Sequence, residues 1–314
     1  MDLSALPDPV RARYDALLAV AGSTVVGLDF DGTLSPIVPD PAQAHIHPDG
    51  PDVLVALATQ VRAVAIVTGR PARQVVELGR LDEVADRLPE GAVLLVRGQY
   101  GHERWDSATR EFHSAEVPPG LAALAAELPD LLAAADARDA YVEDKGLALA
   151  VHTRRLPDPG EAFARLETPL ADAAERHGLA LEPGKLVLEL RTPGAHKGHA
   201  LREVVAGTRA GGVLFGGDDL GDLEAFEAAR AMRDEGMPTL LVCSGSAEER
   251  ALAEIADLVV PGPPGVKSSL GSSATVPAFV VAAMSPRGVA VKVPVYPNRT
   301  SYEMLPPSRM PLSP

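Results

Sequence analysis

Six short apolar runs, at residues 25–30, 63–67, 93–96, 213–215, 239–242 and 258–260, alternate with amphipathic stretches at 50–60, 71–78, 197–206 and 220–230. This alternation constrains the fold more than any other feature of the chain. Strands joined through helices cross over and lie parallel, and the crossover helices cover both faces of the sheet. The expected class is α/β, a Rossmann-like doubly wound parallel sheet.

Between residues 106 and 192 the pattern breaks. A helix at 121–137, a long strand of mixed faces at 140–154, a second helix at 161–177 and a hairpin of 179–182 with 185–191 around Pro183-Gly184 predict an inserted α+β domain. Turn-rich linkers at 107–109 and Thr192-Pro193-Gly194 would bound it. The expected division is a core of 1–105 and 193–268, an insertion of 106–192, and a flexible tail of 269–314. From Gly271 on there are eight prolines and one acid, Glu303, against Arg287, Lys292, Arg299 and Arg309, a composition poor for a packed element.

The 314 residues, 46% apolar and 23% charged, match a soluble globular protein of one large or two ordinary domains. The start lacks the basic and apolar regions of a signal peptide, and no apolar run approaches the ~20 residues that span a bilayer. A lone cysteine, Cys243, excludes an internal disulfide and fits a cytoplasmic location. A net charge of −14 argues against nucleic acid or an anionic membrane as partner, and raises the question of what neutralises the carboxylates.

The first run ends in Asp29-Phe30-Asp31-Gly32-Thr33-Leu34. Alternation along a strand puts Asp29 and Asp31 on one side, at the carboxyl end, where open α/β sheets bind ligands. At roughly 5% usage per residue type, the pattern Asp-x-Asp-Gly-Thr-Leu arises by chance in only a few of ten thousand such chains. Thr68-Gly69-Arg70 follows the second run; it is either a capped turn or a phosphate seat built from a hydroxyl and amides. Lys197 opens a helix, where it opposes the helix dipole, so it is either a surface lysine or an anion partner. Asp218, Asp219 and Asp222 follow the fourth run, and a helix cap needs only one of them.

Two carboxylates 4 Å apart repel by roughly 1–4 kcal/mol, so five acids at one sheet edge call for a hard divalent cation, and Mg²⁺ suits carboxylates plus a phosphate. One aspartate can then attack phosphorus while Lys197 and the metal hold the equatorial oxygens, and a second can act as general acid and base.

Asp29-Phe30-Asp31-Gly32-Thr33-Leu34, Thr68-Gly69-Arg70, Lys197 and Gly217-Asp218-Asp219 resemble, in order and spacing, the four motifs of the haloacid dehalogenase-like phosphatases. The insertion lies where that superfamily carries its type-IIB cap. Within it the chain looks most like the trehalose-6-phosphate phosphatase family, through Gln99-Tyr100-Gly101-His102-Glu103, Val142-Glu143-Asp144-Lys145, Val151-His152-Thr153-Arg154, Leu188-Glu189-Leu190-Arg191 and His196-Lys197-Gly198. The resemblance implies Asp29 as nucleophile and Asp31 as acid/base. It implies Mg²⁺ held by Asp29, the Asp31 carbonyl and Asp218, with Asp219 and Asp222 in support. Thr68, Gly69 and Lys197 would bind phosphate, and Arg70, Glu103, Lys145, His152, Arg154, Glu189 and Arg191 would face substrate. Against this, Lys145 and Arg154 also read as solvated strand faces, Glu189 and Arg191 as the outer side of an amphipathic strand, and His152 as a structural histidine. Thr153, where the family usually has an aromatic, and Gly221, where it commonly has threonine, depart from the pattern.

The expected function is Mg²⁺-dependent hydrolysis of trehalose 6-phosphate, by a monomer acting on a small sugar phosphate. A trehalose-phosphate synthase is the protein partner the resemblance suggests. A phosphatase for sucrose phosphate or mannosyl-3-phosphoglycerate, and a non-catalytic sugar-phosphate-binding module, remain the alternatives.

Overall fold

The computed structural model describes residues 7–263 except 39, 185, 246–249 and 262. The expected tail, 269–314, lies outside the described residues. Helix α1 (Asp8–Ala19) leads into β1 (Thr24–Leu28). Then follow α2 (Gly50–Ala58), β2 (Ala63–Val67), α3 (Ala72–Leu78), α4 (Leu81–Asp86) and β3 (Leu94–Gly98). Two short strands, β4 (Glu103–Asp106) and β5 (Phe112–Ser114), complete the first half of the core sheet. The insertion contains α5 (Leu121–Ala134), β6 (Tyr141–Asp144), β7 (Leu149–His152), α6 (Pro159–Arg176), β8 (Ala180–Gly184) and β9 (Val187–Arg191). The chain returns through α7 (Lys197–Thr208), β10 (Gly212–Gly217), α8 (Leu223–Asp234), β11 (Thr239–Gly245), α9 (Arg250–Ile255) and β12 (Leu258–Pro261).

The eight-stranded sheet has the order β12-β11-β10-β1-β2-β3-β4-β5. The pairs from β12 to β3 are parallel; β4 and β5 add on antiparallel. Strands β1, β2, β10 and β11 are buried almost throughout, as expected for strands covered on both faces. Val26, Leu28, Val64 and Ile66 pack with α1 to α4, whereas Val25, Ala65, Phe215 and Leu241 pack with α7 and α8. The doubly wound α/β architecture is therefore present. From β1 the chain winds toward β3, and from β10 it winds the opposite way, so the β1–β10 boundary is the switch point where such sheets open a crevice.

Two expectations need correction. The long strand at 140–154 is a hairpin of β6 and β7, antiparallel with Tyr141 opposite His152. Gly146, at φ +82, turns the chain between them, the Lys145 amide donates to Ala148 O (2.9 Å) and the Gly146 amide to Asp144 Oδ1 (2.8 Å). The insertion was expected to begin at 106, yet β5 pairs with β4 in the large sheet, so the chain leaves that sheet only after Ser114. Short polar strands at an edge carry no apolar run to announce them.

The insertion is a four-stranded antiparallel sheet, β6-β7-β9-β8, with α5 and α6 on one face over a core of Leu124, Leu128, Val151, Leu166, Leu170 and Leu188. Its other face carries Glu143, His152, Glu189 and Arg191 by strand alternation. Among the described residues, no helix is long and apolar enough to cross a membrane.

Candidate active site

Asp29 is the first residue beyond β1, and its amide donates to Gly216 O on β10 (2.8 Å), which sets its carboxylate into the switch-point crevice. Asp218 is the first residue beyond β10. Both are buried, at 3% and 4% exposure. Gly32 makes the close approach possible: it sits at φ +71, and a Cβ built there would overlap the Asp218 carboxylate. Ser244 holds this turn by donating to Gly32 O (2.6 Å).

Lys197, at the start of α7, is 5% exposed and bridges Asp29 Oδ1 (2.7 Å) and Asp222 Oδ1 (2.8 Å). The other Asp222 oxygen accepts from the amides of Asp218 (2.9 Å) and Asp219 (3.3 Å). Asp222 is thus the hub that fixes both Lys197 and the loop bearing Asp218. Asp219 is exposed and accepts from the Gly221 amide (2.9 Å). Gly221, a departure from the family pattern, serves this small turn.

Burial pushes the Asp29 carboxyl well up; Lys197 opposes the shift, and Asp222, Asp218 and Asp219 add to it. Burial, then Asp219 and Asp222, push Asp218 up to about 8. Burial would depress Lys197, but Asp222 and Asp29 outweigh it and hold the ammonium charged. Carboxylate oxygens of Asp29, Asp218 and Asp222 lie within 4.8 Å of one another. An all-oxygen donor set whose acids resist ionising together fits a hard divalent cation. Asp31 and Asp219 fall outside this cluster.

Asp31 instead receives a two-pronged clasp from Arg70, Nε to Oδ2 (2.6 Å) and Nη2 to Oδ1 (2.7 Å). Arg70 also donates to Pro41 O (2.9 Å) and lies 5.9 Å from the Phe30 ring centre. Thr68 is buried, and its hydroxyl oxygen accepts from the Arg70 amide (3.2 Å). The Asp29-to-Asp31 and Thr68-to-Arg70 segments are therefore brought together.

Over this edge, Lys145 pairs with Glu189 (2.6 Å) and Arg191 lies over the Tyr100 ring (3.7 Å). Glu189 and Arg191 are each 6% exposed, and among the described residues Glu189 Oε1, Arg191 Nε and Arg191 Nη1 have no hydrogen-bond partner. Buried groups of this kind are costly unless something completes them. His152 contacts Glu143 (3.0 Å), whose charge is felt at Arg70. Arg154 is exposed. Glu103 accepts from the Ala72 amide (2.5 Å) and so caps α3. Thr153 is fully buried and donates to Leu186 O (3.3 Å).

Gln99 and Tyr100 stand in a segment that carries the family resemblance, but their residue types imply no role. Both are left-handed, at φ +46 and +58, followed by Gly101 at +102. Such backbone costs roughly 1–3 kcal/mol per residue and gathers at functional sites. Nothing in a Gln-Tyr pair announces that conformation; only the Gly that follows hints at a turn.

A family model described as trehalose-phosphatase matches residues 27–85 and 132–260. A probable trehalose-phosphate phosphatase of Sinorhizobium fredii is 32% identical over 65% of this chain and 73% of its own length. An uncharacterized glycosyl hydrolase of Mycobacterium tuberculosis is 33% identical over 73% of this chain, which spans only 17% of that protein. The C-terminal domain of Candida albicans trehalose-6-phosphate phosphatase superposes with a TM-score of 0.65 at 18% identity, covering 89% of this chain and 96% of that domain, a likeness of fold.

Proposed function

The chain belongs to the trehalose-phosphatase family, and from that premise we propose that it hydrolyses trehalose 6-phosphate to trehalose and inorganic phosphate. The observation that carries the reading is Asp29, buried at the switch point, paired with Lys197 at 2.7 Å and clustered with Asp218 and Asp222.

A carboxylate oxygen of Asp29 attacks phosphorus as the bond to the sugar 6-oxygen breaks, and Asp31 delivers the proton that oxygen needs. Asp31 then takes a proton from water, whose oxygen attacks the aspartyl-phosphate and frees phosphate and Asp29. Arg70 donates one hydrogen bond to each Asp31 oxygen, so each oxygen keeps a second lone pair on which Asp31 can carry the proton. Thr68 and the Gly69 amide seat the phosphoryl oxygens, and Lys197 balances their charge. Asp29 and Asp218 would hold Mg²⁺, with Asp222 and Asp219 bracing the loop. The ion would supply charge neutralisation at the phosphoryl group. On the insertion side, Lys145, Glu189 and Arg191 face the sugar and shield the intermediate from bulk water.

The test is phosphate release from trehalose 6-phosphate, sucrose 6-phosphate, glucose 6-phosphate and mannosyl-3-phosphoglycerate in Mg²⁺ and in EDTA. Preference for trehalose 6-phosphate, lost in EDTA, is the expected result. Preference for another sugar would keep the aspartate chemistry and replace the substrate. No release from any of them would overturn the reading.

A further inference from the structure

We propose that Tyr100 is a positioning residue that couples the sugar-facing cluster of the insertion to the phosphate seat of the core. The proposal rests on the phosphatase reading above. Among the described residues, the turn at 99–101 is bonded to both sides. Its backbone is stitched to the seat: the Tyr100 amide donates to Thr68 O (3.0 Å) and the Gln99 amide to Arg70 O (2.9 Å). Its side chains reach the insertion. The Gln99 amide group donates to Lys145 O, and the Tyr100 hydroxyl lies 3.5 Å from Glu189 Oε2.

The Tyr100 ring is wedged between the two units. A Cβ at Gly69 would fall 2.7 Å from the Tyr100 hydroxyl oxygen, so the residue between Thr68 and Arg70 has no room for a side chain on that face. On the other side the Arg191 guanidinium stacks at 3.7 Å. Arg191 is buried, and among the described residues its Nε and Nη1 have no hydrogen-bond partner, so the aromatic face supports its charge together with Glu182 at 3.6 Å. Any ligand group that engages Arg191 or Glu189 shifts the groups that press on Tyr100. Tyr100 in turn bears on Gly69 and, through Thr68 and Arg70, on the phosphate seat and the Asp31 clasp. The left-handed backbone at Gln99 and Tyr100 is the strain that aims the ring into this gap. Sugar binding and phosphate positioning are then one coupled event, and coupling energies of this kind correspond to roughly 5- to 150-fold effects.

The test compares Tyr100→Phe, which keeps the aromatic face, with Tyr100→Leu, which removes it. With trehalose 6-phosphate, Tyr100→Leu should lose about tenfold in kcat/KM, mainly in kcat, and that loss should exceed its loss on p-nitrophenyl phosphate, which has no sugar to engage Glu189 or Arg191. Tyr100→Phe should stay within about twofold of the parent. Equal losses on both substrates, or equal losses for Phe and Leu, would assign Tyr100 a merely structural role and overturn the proposal. Hydrogen exchange on the ligand-free protein decides the matter independently of substrate: Tyr100→Leu should speed exchange at residues 68–70 and at 187–191 together, and a change on one side alone contradicts the coupling. An enzyme that cleaves p-nitrophenyl phosphate but not trehalose 6-phosphate would fail the substrate reading, and exchange would still judge Tyr100.

Discussion

Asp218 illustrates how one buried acid sets the pH behaviour of the site. Its carboxyl, ordinarily near 3.8, is pushed up to about 8 by burial and by Asp219 and Asp222. Between those values the metal-free folded protein keeps a proton that the unfolded chain has lost. Folding therefore binds protons, and stability falls as pH rises across that window. The melting temperature in EDTA should drop between about pH 5 and about pH 8, and Mg²⁺ should restore more stability at the upper end, where fewer protons compete for the oxygens. A flat EDTA profile would contradict this. Gly32→Ala should displace the Asp218 carboxylate; titration calorimetry should show Mg²⁺ affinity down by about tenfold or more, with the fold retained by circular dichroism. These acids were legible in the sequence because each lies within a few residues of a strand end. The Arg70–Asp31 clasp, the Glu103 cap on α3 and the Tyr100 wedge were not, because their partners come from distant segments and from left-handed backbone that side-chain identity does not reveal.

Elements carry these residues only where the chain turns correctly. The core strands were readable because strands covered on both faces must be apolar along their length. Strands β4 and β5, the outermost pair on one side of the sheet, are partly polar, so the same logic missed them. The β6–β7 hairpin was read as one strand because its turn hinges on Gly146 at φ +82, a dihedral rather than a composition. Gly146→Val should lower stability by about 1–2 kcal/mol, seen as a smaller denaturant midpoint at unchanged slope. Because Lys145 lies in that turn and pairs with Glu189, the variant should also raise KM for trehalose 6-phosphate severalfold while kcat falls less. An unchanged KM would place Lys145 outside the sugar site.

At the scale of the molecule, a chain of net charge −14 is proposed to bind an anionic substrate next to a cluster of three buried aspartates. Only cations local to the crevice reconcile these facts: Lys197 among the aspartates, Arg70 on Asp31, Lys145 and Arg191 above, and the divalent ion the cluster fits. The alternation of runs made the core sheet with helices on both faces legible, and the break in it made the insertion legible. How the two units meet was not readable, since that contact is made by Gln99, Tyr100, Lys145 and Glu189 from three separate stretches. The most direct measurement is phosphate release from trehalose 6-phosphate in Mg²⁺ by the parent chain and by Asp29→Asn, with melting curves for both. The account predicts turnover by the parent and a loss of at least about 10³-fold in the variant at a similar melting temperature. Activity retained in Asp29→Asn would contradict it.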